Sequence, residues 1–62
     1  MKRYIGITTI EIIDNTAYLF RGYYLVTSLP IERIRIRADG WFRVENTYSN
    51  CQLIGSFIVD EV

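Results

Sequence analysis

Isoleucine and arginine alternate along residues 33–37, and this two-residue period constrains the fold more than any other feature of the chain. Successive side chains of a β-strand point to opposite faces, so the isoleucines share one face and the arginines share the other. The segment 41–45 continues the pattern, with Phe42 and Val44 at its apolar positions. The two segments therefore predict a hairpin with one apolar face and one charged face.

The turn between these segments sets their register. If residues 38–40 form a three-residue loop, Ile36 faces Phe42 and each apolar residue meets an apolar partner. A two-residue loop would instead place Ile36 opposite Arg43. We therefore expect the three-residue loop, with Gly40 in the left-handed conformation that glycine adopts most readily.

A run rich in isoleucine occupies residues 4–13, but the parity of its apolar positions changes at Thr8 and Thr9. A one-residue bulge at this point would restore a single apolar face and bend the strand sharply. We therefore expect four isoleucines to share one face: Ile5, Ile7, Ile10 and Ile12.

The Asp-Asn pair at 14–15 favours a tight turn after this strand. In the hairpin that results, Ile12 faces Ala17 and Ile10 faces Leu19. Both apolar pairs then lie on one face of the sheet, which supports this register.

The second predicted strand covers residues 16–27 and is apolar on both faces. The register of the first hairpin turns Ala17 and Leu19 inward, whereas Arg21, which shares their parity, favours the opposite orientation. In the first case an aromatic strand face is exposed and forms a protein interface, since aromatic residues are enriched in interface cores. In the second case the same residues are core. This face comprises Tyr18, Phe20, Tyr24 and Val26.

The remaining segments are shorter. Pro30 ends the second strand, and a single helical turn fits at Leu29–Glu32. The polar residues 46–52 predict a loop. Residues 53–59 predict a last strand, in which Gly55 marks a bend or a close approach of two backbones.

Five short strands at intervals of roughly ten residues predict an all-β chain, with one domain spanning residues 1–62. We expect a small, strongly bent antiparallel barrel of SH3-like form, closed by antiparallel pairing of its first and last strands. That closure would bring Lys2 and Arg3 close to Asp60 and Glu61. The alternative is an open antiparallel sheet that is completed by self-association.

Apolar residues make up 50% of the 62-residue chain. A chain of this length buries only about 60% of the surface that its unfolded form exposes, so part of the apolar surface is expected outside. Contiguous exposed apolar surface marks contact sites. The sequence therefore predicts a non-enzymatic interaction module that self-associates, binds a protein partner, or does both.

The chain lacks the residue types on which most enzyme mechanisms depend. The chain has no histidine and one cysteine, Cys51, whose sequence neighbours include no base, so the thiol is expected to be structural. The carboxylates are scattered, and the glycines form no phosphate-binding pattern. We therefore expect no catalytic residues, no metal site and no cofactor. A single cysteine and the lack of a long apolar run predict a cytoplasmic location with no membrane association.

A second candidate surface, here called the Arg face, lies on the charged side of the 33–45 hairpin. Its spacing and its tryptophan would suit an oligonucleotide or another anion, although the formal net charge of +0 favours an ordinary solvated face. Arg35 opposite Arg43 is a like-charge pair, which an anion or a partner's carboxylate would relieve. The Arg face comprises Arg33, Arg35, Arg37, Trp41 and Arg43.

Overall fold

The computed structural model describes residues 4–45 and 51–60, with the backbone alone at positions 56, 57 and 60. These residues form two β-sheets and one short 3-10 turn, so the all-β prediction is confirmed. One sheet has the order β3-β2-β1-β7, and the other has the order β4-β5-β6. The elements are β1 (Thr9–Ile13), β2 (Thr16–Arg21), β3 (Tyr24–Pro30), the 3-10 turn (Ile31–Arg33), β4 (Ile34–Ile36), β5 (Trp41–Val44), β6 (Cys51–Gln52) and β7 (Ser56–Asp60).

The first hairpin has the predicted register. Ile12 pairs with Ala17 and Ile10 pairs with Leu19. Residues 14–15 form the turn, with φ of 51° and 63°, and positive φ at both central positions matches the twist of the flanking strands. Ala17 and Leu19 are fully buried, so the inner face of β2 is the one that the hairpin register favoured.

Residues 16–27 do not form one strand, contrary to the prediction. The chain reverses at Gly22 and Tyr23, and Arg21 pairs with Tyr24 across this second turn. Gly22 has a φ of 64°, which glycine adopts at little steric cost at the first central position of a hairpin turn. The two halves of the predicted strand therefore lie side by side as β2 and β3.

The first strand is shorter than the predicted 4–13 segment, because the chain turns at Gly6, whose φ is 79°. Ile7 is fully buried after this turn, while Ile5 is 66% exposed. Thr8 still donates its backbone N–H to the carbonyl of Phe20 at 2.9 Å. Three of the four isoleucines expected on the inner side are therefore buried, and Ile5 is not.

The second hairpin also has the predicted register, with Ile34 opposite Val44 and Ile36 opposite Phe42. The three-residue loop closes with the N–H of Gly40 donating to the carbonyl of Arg37 at 3.1 Å. Gly40 has a φ of 92°, as this loop requires.

The last strand does not close a barrel by antiparallel pairing with the first strand, contrary to the prediction. β7 pairs with β1 in parallel, not antiparallel, with Ile12 beside Val59. Parallel neighbours need a long crossover, and here the second sheet lies within that connection. Asp60 consequently lies beside Ile13, while Lys2, Arg3 and Glu61 fall outside the described residues. Across residues 4–45 and 51–60 the strands form two sheets and no closed barrel.

Two segment boundaries also differ from the prediction. Cys51 and Gln52 extend the second sheet by pairing with Phe42 and Trp41, so they are not loop residues; the rest of the predicted loop, 46–50, lies outside the described residues. The predicted helical turn exists, but it covers Ile31–Arg33 because β3 continues through Pro30.

The core lies between the two sheets. Inner-face residues of both hairpins meet there, joined by two residues that precede β1. Partly buried apolar residues pack around them, including the Cys51 thiol and Leu53. The buried set is Tyr4, Ile7, Ile10, Ile12, Ala17, Leu19, Ile34, Phe42 and Val44.

The prediction for Gly55 is confirmed as a close backbone approach. A Cβ atom built on Gly55 would overlap the carbonyl oxygen of Thr8. Next to this contact, Ile54 donates its N–H to the carbonyl of Ile7 at 2.9 Å, and Leu53 donates to Gly40 at 2.7 Å. The segment before β7 therefore contacts the loop at Gly40 and residues 7–8 through backbone groups, in addition to the packing of Leu53 against the core.

We predict that Gly55→Ala lowers the free energy of unfolding by about 1–3 kcal/mol, because a backbone carbonyl cannot move aside as a flexible side chain can. Thermal unfolding measures this as a loss of roughly 4–8 °C for each kcal/mol in a chain of this size. The comparison variant is Gly22→Ala, where the new Cβ meets nothing within 4 Å and only the positive φ opposes it, at about 1–2 kcal/mol. A Gly55→Ala variant as stable as the wild type would contradict the close approach at Gly55.

Candidate interaction surfaces

The outer face of the first sheet carries the first two members of the aromatic strand face. Tyr18 and Phe20 point away from the core, since they alternate with the buried Ala17 and Leu19, and both are half-buried. Phe20 lies beside Leu25 of β3, and Leu25 is 46% exposed. Aromatic and aliphatic side chains are therefore neighbours on this outer face.

The other two members lie elsewhere, so the structure does not bring the predicted four residues onto one face. Tyr24 is 67% exposed and sits at the start of β3, opposite Arg21. Val26 is half-buried and packs against the core. The turn at 22–23 moves both residues to β3 and turns Tyr24 to the side of Arg21, while the register shift between Leu19 and Phe20 changes the parity only of the β3 residues from Thr27 onward.

Sequence reasoning missed the most exposed apolar group among the described residues. Tyr23 is 107% exposed, and it is followed directly by the exposed Tyr24 and Leu25. Tyr23, Tyr24 and Leu25 are called the hairpin tip below. The sequence signal for this turn was Gly22, which lies inside a segment that is apolar on both faces. A glycine in such a segment marks a turn as well as a bend.

Two side chains hold the hairpin tip in place. The Arg21 guanidinium donates to the carbonyl of Ile5 through Nε at 3.2 Å and Nη2 at 2.7 Å. The hydroxyl of Thr8 accepts the N–H of Gly22 at 2.9 Å. The Arg21 guanidinium thus makes its hydrogen bonds within the chain and connects the tip to the turn at residues 5–6. This contact also explains why an arginine shares the parity of Leu19 without disturbing the core.

The Arg face lies on the outer side of the second sheet, as the alternation predicted. Arg35 and Arg43 are directly opposite each other, and both are exposed. Trp41 is 37% exposed beside them on β5. The structure therefore brings these three residues together on one surface.

Carboxylates balance the other two arginines. Arg37 Nη2 lies 2.7 Å from Asp39 Oδ2, and Arg33 Nε lies 3.7 Å from Glu45 Oε2. Asp39 also accepts the backbone N–H of Trp41 through Oδ1 at 3.3 Å. Exposed ion pairs of this kind contribute at most about 1 kcal/mol, but they reduce the positive potential at both ends of the Arg face.

A cleft of about 390 Å³ opens over the end of the Arg face that carries Arg33, Arg35 and Arg43. Its walls combine both signs of charge, so it suits a ligand with a local negative group better than a strongly anionic polymer. An acceptor between Arg35 and Arg43 would relieve their like-charge repulsion. The lining residues are Glu32, Arg33, Arg35, Arg43, Val44 and Glu45.

Within 4–45 and 51–60, no three side chains among His, Cys, Asp and Glu lie close enough to hold a metal ion. No helix in these two ranges has the length and apolar character needed to cross a membrane.

We predict that Arg35→Glu stabilises the chain by about 0.5 kcal/mol, because an opposite-charge pair would replace a like-charge pair across β4 and β5. Arg33→Glu is the control with the opposite sign, since it places two carboxylates together by removing the cation beside Glu45. Urea unfolding at low and high salt measures both changes, which should shrink as salt screens exposed charges. A destabilising Arg35→Glu would contradict the pairing of Arg35 with Arg43.

The chain was also compared with known proteins. No protein-family model matches it, and no match was found among curated proteins or solved structures. What it does is therefore inferred from its own residues and their geometry.

Proposed function

We propose that this chain is a non-enzymatic β-module that self-associates or binds a protein partner through the exposed apolar surface of the β2–β3 hairpin. The observation that carries the proposal is the hairpin tip. Three consecutive large apolar side chains, Tyr23, Tyr24 and Leu25, lie in solvent at one corner of the molecule. Leu25 continues the apolar outer face of Tyr18 and Phe20, whereas Tyr24 lies on the opposite side of the same strand. Exposed apolar surface of this kind is typical of contact sites.

The tip is suited to binding because it is fixed in position before any partner arrives. Arg21 and Thr8 hold the strands that carry it, and tyrosine side chains lose little conformational entropy when they are buried. Tyr18 and Phe20 extend the apolar surface over the outer face of β2. Each 100 Å² of apolar surface covered by a partner would contribute about 2.5 kcal/mol before the cost of association.

We assign this module to residues 1–62 and to the cytoplasm, with no cofactor. Of the two architectures expected from the sequence, the free edges of the two sheets support an open sheet completed by self-association better than an SH3-like barrel. Val26 belongs to the supporting core and not to the contact surface, because it packs against the buried residues.

We predict that the double variant Tyr24→Lys and Leu25→Lys abolishes assembly while leaving the fold intact, since both side chains are exposed. Sedimentation velocity at tens of micromolar measures the mass, and far-ultraviolet circular dichroism checks the fold. Ile54→Lys is the matched control, because Ile54 is 68% exposed but lies outside the hairpin. Its mass should equal that of the wild type.

Two results would overturn this proposal. One is a wild-type chain that stays monomeric and does not bind a partner through the tip. The other is a collapse of the fold in the tip variant, which would show that these side chains act as core.

A second function, nucleic-acid binding through the Arg face, is favoured by one observation. Arg35 and Arg43 lie opposite each other next to the exposed Trp41. Residues two apart on one face of a strand are about 6.8 Å apart, which is close to the spacing of phosphates along a strand. Trp41 could stack on a base there.

We predict for this second function that short single-stranded oligonucleotides quench the fluorescence of Trp41 and that their affinity falls as salt rises. Replacing Arg35 and Arg43 by Gln should reduce the slope of log affinity against log salt by about 1.4, or about 0.7 for each phosphate that is no longer neutralised. Ile54→Gln is the control, because Ile54 is 68% exposed, lies outside the Arg face and gains no charge, and it should bind as the wild type does. Absence of quenching at low salt, or an affinity indifferent to salt, excludes nucleic acid as the ligand of this face.

A further inference from the structure

β3 is, among the described strands, an edge strand of the first sheet, and its protection against pairing is limited to a bulge beside Leu19 and Phe20 and the proline at its last position. Among the described strands, the edge strand β4 has three residues and carries Arg35, and β6 has two residues. β7 includes Asp60. β3 has seven residues and no charged side chain. Edge strands usually avoid pairing with other chains by being short or by carrying charge.

We infer that β3 pairs edge to edge with β3 of a second copy, antiparallel around a two-fold axis, to form one continuous sheet of eight strands. The strand order would be β7-β1-β2-β3-β3-β2-β1-β7. This inference rests on the proposed function and specifies both its partner and its geometry. A closed two-fold contact uses the same surface on both copies, so no second surface is required.

The charges at the two ends of β3 favour this antiparallel arrangement. Residues 22–31 are uncharged, with Arg21 at one end and Glu32 at the other. The exposed Asp14 lies at the Glu32 end, because Ile31 donates its N–H to the carbonyl of Asn15 at 3.0 Å. An antiparallel pair places the basic end of each copy beside the acidic end of the other. A parallel pair would place like charges together.

Arg33 is also at the acidic end, but it does not reverse this charge pattern. Its guanidinium faces Glu45 across 3.7 Å, so the two side chains balance each other locally. The chain as a whole has a formal net charge of +0, and two copies therefore meet without long-range repulsion.

The bulge in β3 selects the register of the pair. Leu25 and Ser28 lie on the outer face, because they are beside Phe20 and Tyr18 of β2. Tyr24, Val26, Thr27 and Leu29 lie on the inner side: Tyr24 is beside Arg21, Thr27 beside Leu19 and Leu29 beside Ala17, and Val26 packs against the core.

Facing strands of one sheet must match outer residues with outer residues. With the two-fold axis between Val26 and Thr27, every pair satisfies this condition. Leu25 then lies opposite the partner's Ser28, and Tyr24 lies opposite the partner's Leu29. Moving the axis by half a residue in either direction pairs inner with outer residues next to the axis. This register also covers Tyr24, which is 67% exposed in the single chain.

A pair of cysteines tests this register directly. In a Cys51→Ser background, Leu25→Cys with Ser28→Cys should form a covalent dimer under mild oxidation, because the two thiols of different copies face each other. Within one copy these positions are three residues apart, about 10 Å along the strand, which is too far for a disulfide. The matched control is Leu25→Cys with Thr27→Cys, in which the second thiol points to the opposite face.

We predict that the Leu25/Ser28 pair cross-links about 100-fold faster than the Leu25/Thr27 pair at tens of micromolar, since thiols facing each other in a dimer experience millimolar effective concentrations. Non-reducing gels followed over time measure the rates. Amide hydrogen exchange of the wild type gives a second measurement that needs no variant, because β3 amides should become more protected as concentration rises.

Each outcome distinguishes this inference from the proposed function. Equal cross-linking rates, or exchange in β3 that does not depend on concentration, overturn the edge pairing. If the wild type nevertheless assembles and the Tyr24→Lys and Leu25→Lys variant does not, the proposed function stands with a different contact geometry. A monomeric wild type that binds no partner through the tip overturns both.

Discussion

The two sheets share one apolar core, and the position of every other feature depends on it. Ile10 and Leu19 of the first sheet and Phe42 of the second are almost completely buried. In each of their strands, buried residues alternate with more exposed ones. Once these residues face inward, the period of two sends their neighbours outward. The outer faces then carry Tyr18 and Phe20 on the first sheet and arginines on the second.

Residues 5–8 connect this core to the exposed hairpin. Their carbonyl and hydroxyl groups accept hydrogen bonds from Arg21 and Gly22 on one side. On the other side, Ile7 accepts the N–H of Ile54, and Thr8 lies against Gly55. The short stretch before β1 therefore supports the β2–β3 hairpin and the approach to β7 together. A change at Gly55 would thus be transmitted through Thr8 to the strands that carry the hairpin tip.

The β1–β2 and β4–β5 hairpins could be predicted because alternation and turn chemistry point to the same register. For the segment around 38–40, only one loop length sorts apolar from charged residues, and the structure has that loop. Residues 16–27 offered no such test, because a strand that is apolar on both faces sorts equally well in either orientation. The chain turns at Gly22, whose φ is positive. Because this turn was not predicted, the positions of Tyr24 and Val26 were also predicted wrongly. The predicted direction of β7 was wrong for a related reason. The parity of a residue determines which face of the sheet it occupies, but not whether neighbouring strands run parallel or antiparallel.

The two candidate surfaces are compatible with each other because of how the sheets pack. The inner faces meet at the core, so the Arg face points away from the first sheet and from the free edge of β3. A dimer formed through β3 would leave the cleft over Arg35 and Arg43 open on both copies. Two weak sites fixed at one distance bind a ligand that reaches both with higher avidity than either site alone. Self-association could therefore strengthen anion binding on a chain whose net charge gives it little affinity as a monomer. A bulge usually discourages edge pairing, but in the proposed dimer the bulge of β3 would favour one register and so make the pairing specific.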